Sequence, residues 1–502
     1  MSRKSPPAVA VDADTSATPI FVAGRWETSD DPFVVHEAGG GDPVGTTFRA
    51  SGEQYHRAVD AAVEVFRRTR RMASFERGDI LRNIATGLSD AREELARSLA
   101  LEAGKPIGDA RIEVDRTALV FRISAEEAER LGGEVMPLDL MESSRHRWGI
   151  TRHMPLGPVA AISPFNVPLS LAAHKVGPAL AAGNTVVLKP PSQVPHTLLK
   201  LAAIIEAAGA PRGSVSVMPM SRHLGDEMVA DERFRLLTFT GSPEVGWRMR
   251  SRAGTKRVAL ELGGNAGLIV DETADISRAV ARTLTGGFKH AGQLCISVQR
   301  AFVHVSVWDE FVGGLCEGAA KLRVGHPLDE SVDLGPMVDV AAAERFMEWL
   351  DEAVSQGGTV LEGGERDGAY VRPTVIEGVP PEARLCAEEA FAPVVVVAPF
   401  DRFDDAVERC NDSRYGLQAG VFTNDLQRAW SAFENLDVGG VVVNDVPTFR
   451  MDNMPYGGSK NSGSGREGVK WALEHMTELR LMVMVAEGES RSEAAQNGAQ
   501  DD

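Results

Sequence analysis

One cysteine stands where a thiol could act. Cys295 follows a Gly-Gln-Leu run at the end of a helical stretch, GFKHAGQLCIS (Gly287 to Ser297). A helix end and nearby cations such as Lys175, in AAHKVGPAL, would favour the thiolate and make Cys295 a nucleophile; a buried structural cysteine is the commoner use of such a residue. Glu261 closes an apolar strand just before two glycines in ALELGGN (Ala259 to Asn265). Desolvation there raises a carboxyl pKa toward the range useful to a base, whereas a solvated strand-end glutamate would stay ordinary. Asn166, in ISPFNVP (Ile162 to Pro168), lies between a strand end and a proline-initiated helix. Such a loop holds an amide donor rigidly, as an oxyanion site requires, although asparagine is also common in plain turns. Last, LTFTGSPEVG (Leu237 to Gly246) runs from a strand through Gly-Ser into a helix. That is the physics of a phosphate cradle without the usual GxGxxG pattern.

These segments need a scaffold. Between about Met154 and Val270, short β-branched runs alternate with helical stretches, the pattern of a parallel sheet wrapped by helices. Strands are expected at Val159 to Ile162, Thr185 to Leu188, Val215 to Met218, Leu236 to Phe239 and Val258 to Leu260, with helices between, forming a Rossmann-like half. Glu53 to Ala103 and Asp109 to Leu131 read as long amphipathic helices. A second alternating series runs from Leu268 through Val443, so two α/β domains are expected. The segments 145–154 and 478–485 alternate polar and apolar residues and are candidates to pair as an antiparallel ribbon.

The chain has 502 residues, ample for two to four domains at roughly 150 each. A net charge of −18 disfavours general binding to nucleic acid or anionic membrane. Four scattered cysteines form no disulfide framework, which favours a reducing cytoplasm. No apolar run reaches the roughly 18 residues that span a bilayer. Residues 1–17 and 488–502 read as solvated tails. His290, five residues from Cys295, suggests a cysteine protease only weakly, because a helical offset of five points the side chains apart. No His/Cys/Asp cluster has metal-ligand spacing.

Together the motifs SPFNVP, GNTVVLKPPSQVP (Gly183 to Pro195), FTGSPEVG, ELGGN, GQLC, EEAFAPV (Glu388 to Val394) and PYGGSKNSGSGREG (Pro455 to Gly468) resemble the aldehyde dehydrogenase superfamily over about residues 18 to 487. The resemblance implies an α/β fold of two Rossmann-like domains plus a small antiparallel bridging element. Its boundaries would be 18–140 with 157–262 for the dinucleotide-binding domain, 263–470 for the catalytic domain, and 141–156 with 471–487 for the element through which relatives dimerise and pair into tetramers. It implies NAD(P)-dependent oxidation of a small-molecule aldehyde, with Cys295 as nucleophile, Asn166 and the Cys295 N–H as oxyanion donors, and Glu261 as base for thioester hydrolysis. By the same resemblance Ile162, Ser163, Pro164, Phe165 and Leu262 line the cofactor, Lys189 bonds the adenosine ribose, Gly241, Ser242 and Gly246 hold the pyrophosphate, and Glu389 with Phe391 hold the nicotinamide end. Asn265 and Ala392 stand where many relatives carry Lys and Gly.

Strictly NAD-dependent relatives commonly carry a glutamate where this chain has Ser192. Two like charges about 4 Å apart repel by about 4 kcal/mol at an effective dielectric near 20, so NADP is expected to be accepted or preferred, with Lys189 as phosphate partner and Arg212 as a weaker one. The motifs look most like the lactaldehyde and semialdehyde-oxidising subgroup. By that alignment His174 sits on the tunnel helix and Arg450 on the anchor loop, and Arg122 is a third candidate for the same tunnel; solvated surface positions are the alternative for all three. Leu294 stands where relatives using phosphorylated aldehydes tend to place arginine. A short hydroxylated or monocarboxylated aldehyde is therefore expected. Two other readings are a binding or structural protein that kept the scaffold, and a CoA-acylating relative; those relatives usually lack the glutamate that Glu261 supplies.

Overall fold

The computed structural model describes residues 17–486, so the tails expected at either end fall outside the described residues except for Ala17. Five short aliphatic strands, β1 (Val159–Ile162), β2 (Val186–Lys189), β3 (Val215–Val217), β4 (Leu236–Thr240) and β5 (Arg257–Glu261), run parallel in the order β3-β2-β1-β4-β5. The central ones are buried on both faces, hence their unbroken apolar character. A hairpin of Ile20–Val22 and Arg25–Glu27 closes the sheet beside β3, and Gly463–Ser464 closes it beside β5. The strand order reverses between β1 and β4, and in open α/β sheets ligands enter the crevice beyond the carboxyl ends at such a point. The segment after β1 carries Asn166 and the one after β4 carries Gly241 to Gly246. Two of the four chemically suggestive segments thus flank one crevice.

The second sheet repeats the connectivity. Its strands β6 (Ala266–Val270), β7 (Val298–His304), β8 (Val394–Phe400), β9 (Gln418–Phe422) and β10 (Gly440–Val443) run parallel in the order β8-β7-β6-β9-β10. Beyond β8 lie Thr374–Glu377 and then Thr359–Glu362. These two strands and the helix Val340–Ser355 fill a stretch for which the sequence reading names no element. Cys295 precedes β7 and Glu389 precedes β8, so the amino ends of this sheet bear the reactive segments. Arg147–Pro155 pairs antiparallel with Thr477–Val485 along its whole length, Pro155 opposite Thr477 and Arg147 opposite Val485, and with Val135–Pro137 on its other side. The ribbon expected between these segments is present, and the fold is the expected pair of Rossmann-like sheets with a bridging element.

Three helices matter for the site: α1 (Ile107–Arg130), α2 (Pro168–Ala182) and α3 (Pro243–Arg252). Every residue of α2 is buried. Gly177 lets α1 approach, since a Cβ there would lie 2.6 Å from Ser124 Oγ. Glu113 of α1 caps α2 from outside: its Oε1 accepts the Leu169 and Ser170 N–H groups at 2.9 and 3.2 Å, while its other oxygen pairs with buried Lys105. One carboxylate therefore satisfies orphan donors of the first turn of α2 and the charge of Lys105. Because α2 carries His174 and Lys175, this contact sets the height of the site. Glu113→Ala should lower unfolding stability by about 3–5 kcal/mol, the cost of leaving a buried partner charge uncompensated; urea unfolding of the variant measures it, and a loss under 1 kcal/mol would contradict the capping role.

Candidate active site

The crevice holds Cys295 with its thiol half-buried and its sulfur 2.9 Å from the Tyr456 hydroxyl. Burial pushes the thiol up to about 12, and Tyr456 and Arg450 act against that rise. The expected helix-end activation is not found. The helix Ile276–Phe288 stops short of the cysteine, and His290 and Ala291 then turn through positive φ of 52° and 53°. It is also a helix C-terminus, whose dipole opposes rather than favours a nearby anion. Lys175 is committed elsewhere: its Nζ donates to Thr240 Oγ1 at 2.7 Å, and to Thr238 Oγ1 and Glu467 Oε1 at 3.2 Å. The notion of Lys175 as the partner of the thiol is therefore replaced by a buried Lys175–Glu467 ion pair.

Asn166 donates one amide hydrogen to the Gln293 carbonyl at 2.8 Å, which leaves the second free. Gln293 is in turn fixed by the Val338 N–H, which donates to its Oε1 at 2.8 Å. The Cys295 N–H makes no hydrogen bond among the described residues. The second Asn166 hydrogen and the Cys295 N–H are thus both unspent. Glu261, at the carboxyl end of β5, is buried with Oε2 unpartnered. Burial and the Glu467 charge raise its pKa well above the ordinary value, while Arg450, Lys175 and Arg466 hold it in check. Gly457 lies against it, for a Cβ there would come within 3.0 Å of Glu261 Oε1.

Glu467 was not foreseen as functional and is the hub. Burial opposes its charge, yet Lys175 and Arg450 hold its pKa at about 2, Arg450 donating to Oε2 at 2.9 Å. The Arg450 guanidinium also covers the Tyr456 ring, 3.8 Å from its centroid. Beside them His174 Nε2 lies 3.1 Å from Asp452 Oδ1, and Arg116 grips the same carboxylate through two bonds of 2.7 and 3.2 Å. Burial, with help from Arg450, lowers the His174 pKa, so the neutral ring donates through Nε2 and its Nδ1 is left as an acceptor without a partner. His174 and Arg450 are thus interior groups, not solvated ones. Arg122 is not: it is exposed on α1, where its charge acts on Asp115. Six residues earlier, about 240° around the helix, Arg116 is the arginine of α1 that meets Asp452.

On the other side of the crevice, the first turn of α3 has no side-chain cap, so the N–H groups of Glu244 and Val245 stay open toward it. Gly246 is needed for packing, since a Cβ would strike Leu262 at 2.4 Å, and Gly241 for the same reason against Phe239 at 2.4 Å. Lys189, the last residue of β2, lies opposite Ile162 in register and forms no ion pair among the described residues. Ser163 Oγ is buried and unpartnered. Open backbone donors, a free ammonium and an orphan hydroxyl at the carboxyl ends of a Rossmann-like sheet suit a dinucleotide phosphate. Pro164 and Phe165 continue this wall, and exposed Ser192 lies three residues past Lys189. Arg212 does not belong: it precedes β3, at the amino edge of the sheet, and spends its guanidinium on the Gly24 carbonyl.

Facing that wall, Phe391 meets Phe165 edge-on at 6.0 Å, and Glu389 Oε1 accepts the Gly264 N–H at 3.0 Å. Burial raises the Glu389 pKa to about 7. The loop bearing both is tied down by two amides. Asn265 donates to the carbonyls of Cys386 and Glu388 at 2.7 and 2.8 Å, and Gln299 donates to Leu385 and Glu388 and accepts from Ala390.

The Aldehyde dehydrogenase family model matches residues 26–482. The chain belongs to the aldehyde dehydrogenase family. Among its relatives, a 3-sulfolactaldehyde dehydrogenase of Priestia megaterium is 44% identical over 466 residues, 93% of this chain and 97% of that protein. A lactaldehyde dehydrogenase of Methanocaldococcus jannaschii is 39% identical over 470 residues, 93% of this chain and 100% of that one. The crystal structure of aldehyde dehydrogenase 21 from Physcomitrella patens, solved with the reaction product succinate, superposes with a TM-score of 0.92 at 43% identity, covering 95% of this chain and 99% of that one. Glyceraldehyde-3-phosphate dehydrogenases of the same fold have been solved with NADP. For an aldehyde dehydrogenase the geometry is coherent: sulfur, amide donor and carboxylate converge from three segments on one crevice between the two sheets.

Proposed function

We propose that this enzyme uses NADP or NAD to oxidise a small aldehyde that carries one negative charge, with or without a hydroxyl beside it, to the carboxylic acid. The observation that carries the substrate class is the pairing around Glu467 and Asp452. Arg116, Arg450 and Lys175 set three cations against these two carboxylates. Burial disfavours the charged form of His174. One positive charge is left over, and it complements one anionic group on a substrate better than none or two. The unpartnered His174 Nδ1 suits a substrate hydroxyl. Leu294 beside the nucleophile offers nothing to a phosphate. A sulfonated lactaldehyde and succinate semialdehyde both meet this description, and neutral lactaldehyde meets only its hydroxyl part.

In the reaction Cys295 attacks the aldehyde carbon, and the oxyanion accepts from the second amide hydrogen of Asn166 and from the Cys295 N–H. When bound, the dinucleotide supplies the hydride acceptor. Glu261 takes a proton from the water that cleaves the thioester, its raised pKa matching that work. Lys189, Ser242 and the first-turn amides of α3 hold the phosphates, with Ile162, Ser163, Pro164, Phe165 and Leu262 as the wall and Glu389 and Phe391 at the nicotinamide end. A serine at 192 leaves room for a 2′-phosphate beside Lys189, which favours NADP.

The chain divides on this reading into a dinucleotide-binding domain (18–140 with 157–262), a catalytic domain (263–470) and a bridging element (141–156 with 471–487). The bridging element supports a homodimer or homotetramer. Thr477–Val485 is an edge strand, and Leu479, Leu481, Val483 and Val485 are all at least half exposed along it.

Absorbance at 340 nm with an aldehyde panel and both cofactors tests the activity: turnover is expected with anionic or hydroxylated short aldehydes, and Cys295→Ala should abolish it while dinucleotide binding persists. Turnover above a few per cent in that variant would remove the nucleophile assignment. Arg116→Ala should raise KM for a carboxylated aldehyde by about 10- to 100-fold, the loss of a charge-assisted hydrogen bond, and spare propanal. Equal effects on both substrates would refute the charge argument. Light scattering should give a mass of at least twice the 53.9 kDa chain; a monomer at micromolar concentration would refute assembly through the bridging element.

A further inference from the structure

Tyr456 is a residue that the nucleophile, oxyanion and base do not account for. It is 3% exposed, in the loop that follows β10, and its hydroxyl lies 2.9 Å from Cys295 Sγ. Its ring is clamped under the Arg450 guanidinium at 3.8 Å, and Arg450 is itself held by Glu467. The phenol hydroxyl therefore has one hydrogen-bond partner among the described residues, the sulfur that must become a thiolate. The groups acting on that sulfur are few. Glu389 and Glu261 disfavour a negative charge there, and Tyr456 and Arg450 favour it. Lys175 is turned to Glu467.

We propose that Tyr456 is a further catalytic residue: its hydroxyl donates to the Cys295 sulfur and favours the thiolate, and Arg450 over the ring holds that donor in place. The thiol proton leaves to solvent when the thiolate forms, and Tyr456 stays protonated throughout, a donor and never the acid or base. The proposal rests on Cys295 being the nucleophile. A phenol is a suitable donor here because burial keeps its own pKa well above the ordinary value, so it does not compete for the negative charge. The gain in rate is smaller than the gain in thiolate. A tenfold larger thiolate fraction comes with a sulfur about threefold less nucleophilic, leaving about a threefold net advantage below the thiol pKa.

Tyr456→Phe keeps the ring under Arg450 and removes only the hydroxyl. Iodoacetamide alkylation of Cys295, followed by the mass of its peptide between pH 7 and pH 10 without aldehyde or cofactor, reads the thiol directly. The variant should be alkylated about threefold more slowly at each pH. Profiles that superimpose on the wild type would overturn the proposal. So would faster alkylation, which would mean that Tyr456 accepts from the thiol and keeps it protonated. Because no turnover is involved, a failed oxidation assay and a failed tyrosine assignment give different results: the first leaves the alkylation difference intact, the second leaves aldehyde oxidation intact.

Discussion

The carboxylate of Glu467 is fully enclosed, and everything at the reactive centre is arranged around keeping it charged. A lone buried carboxylate would take up a proton to escape desolvation, but Lys175 and Arg450 supply two charge-assisted contacts, one to each oxygen. Those contacts tie three distant stretches of chain to one point: the helix α2, the loop after β10 and the segment before the final helix. Tyr456 is then fixed because Arg450 is fixed. Glu261 feels both the Glu467 charge and the cations that balance it, so its proton affinity is set by the same cluster.

Beside this hub, Asp452 accepts from the neutral His174 ring and pairs with the Arg116 charge. Burial opposes the Asp452 charge, but His174 and Arg116 hold its pKa below the usual carboxylate range. Two paired cations in a closed site are less avid for anions than two bare ones, because part of their field is already spent. On the substrate class proposed above, such a lining would discriminate by charge number as well as by sign. Arg450 joins the two parts of this centre, since it pairs with Glu467 and covers the Tyr456 ring, whose hydroxyl lies beside the Cys295 sulfur.

The short apolar strands from Val159 to Leu260 were readable because strands buried on both faces must be continuous in Val, Ile, Leu and Ala. The antiparallel pairing of 147–155 with 477–485 was suggested by alternation, which survives when one face of a sheet is wet. Between Leu322 and Val394 the strands Thr359–Glu362 and Thr374–Glu377 escaped notice because they lie toward the edge of the sheet, one of them only partly buried, and carry too little periodicity. Arg122 and Arg116 show the limit at single-residue scale: both are arginines on one helix, and the helical turn alone decides which one meets Asp452. Arg212 shows it at the scale of the sheet, since only strand direction puts it at the edge away from Lys189.

By itself the sequence determined the family and the two alternating α/β series, and it singled out Cys295, Glu261 and Asn166, because short motifs with a self-contained local backbone are legible in one dimension. Only the tertiary structure decided the electrostatics of the site. Lys175, a plausible partner for the thiol in one dimension, is spent on Glu467, while Tyr456, silent in one dimension, sits on the sulfur. The reason is physical: charges and hydrogen bonds act over a few ångströms through space, and the residues that meet here are separated by 161 positions for Cys295 and Tyr456 and by 292 for Lys175 and Glu467.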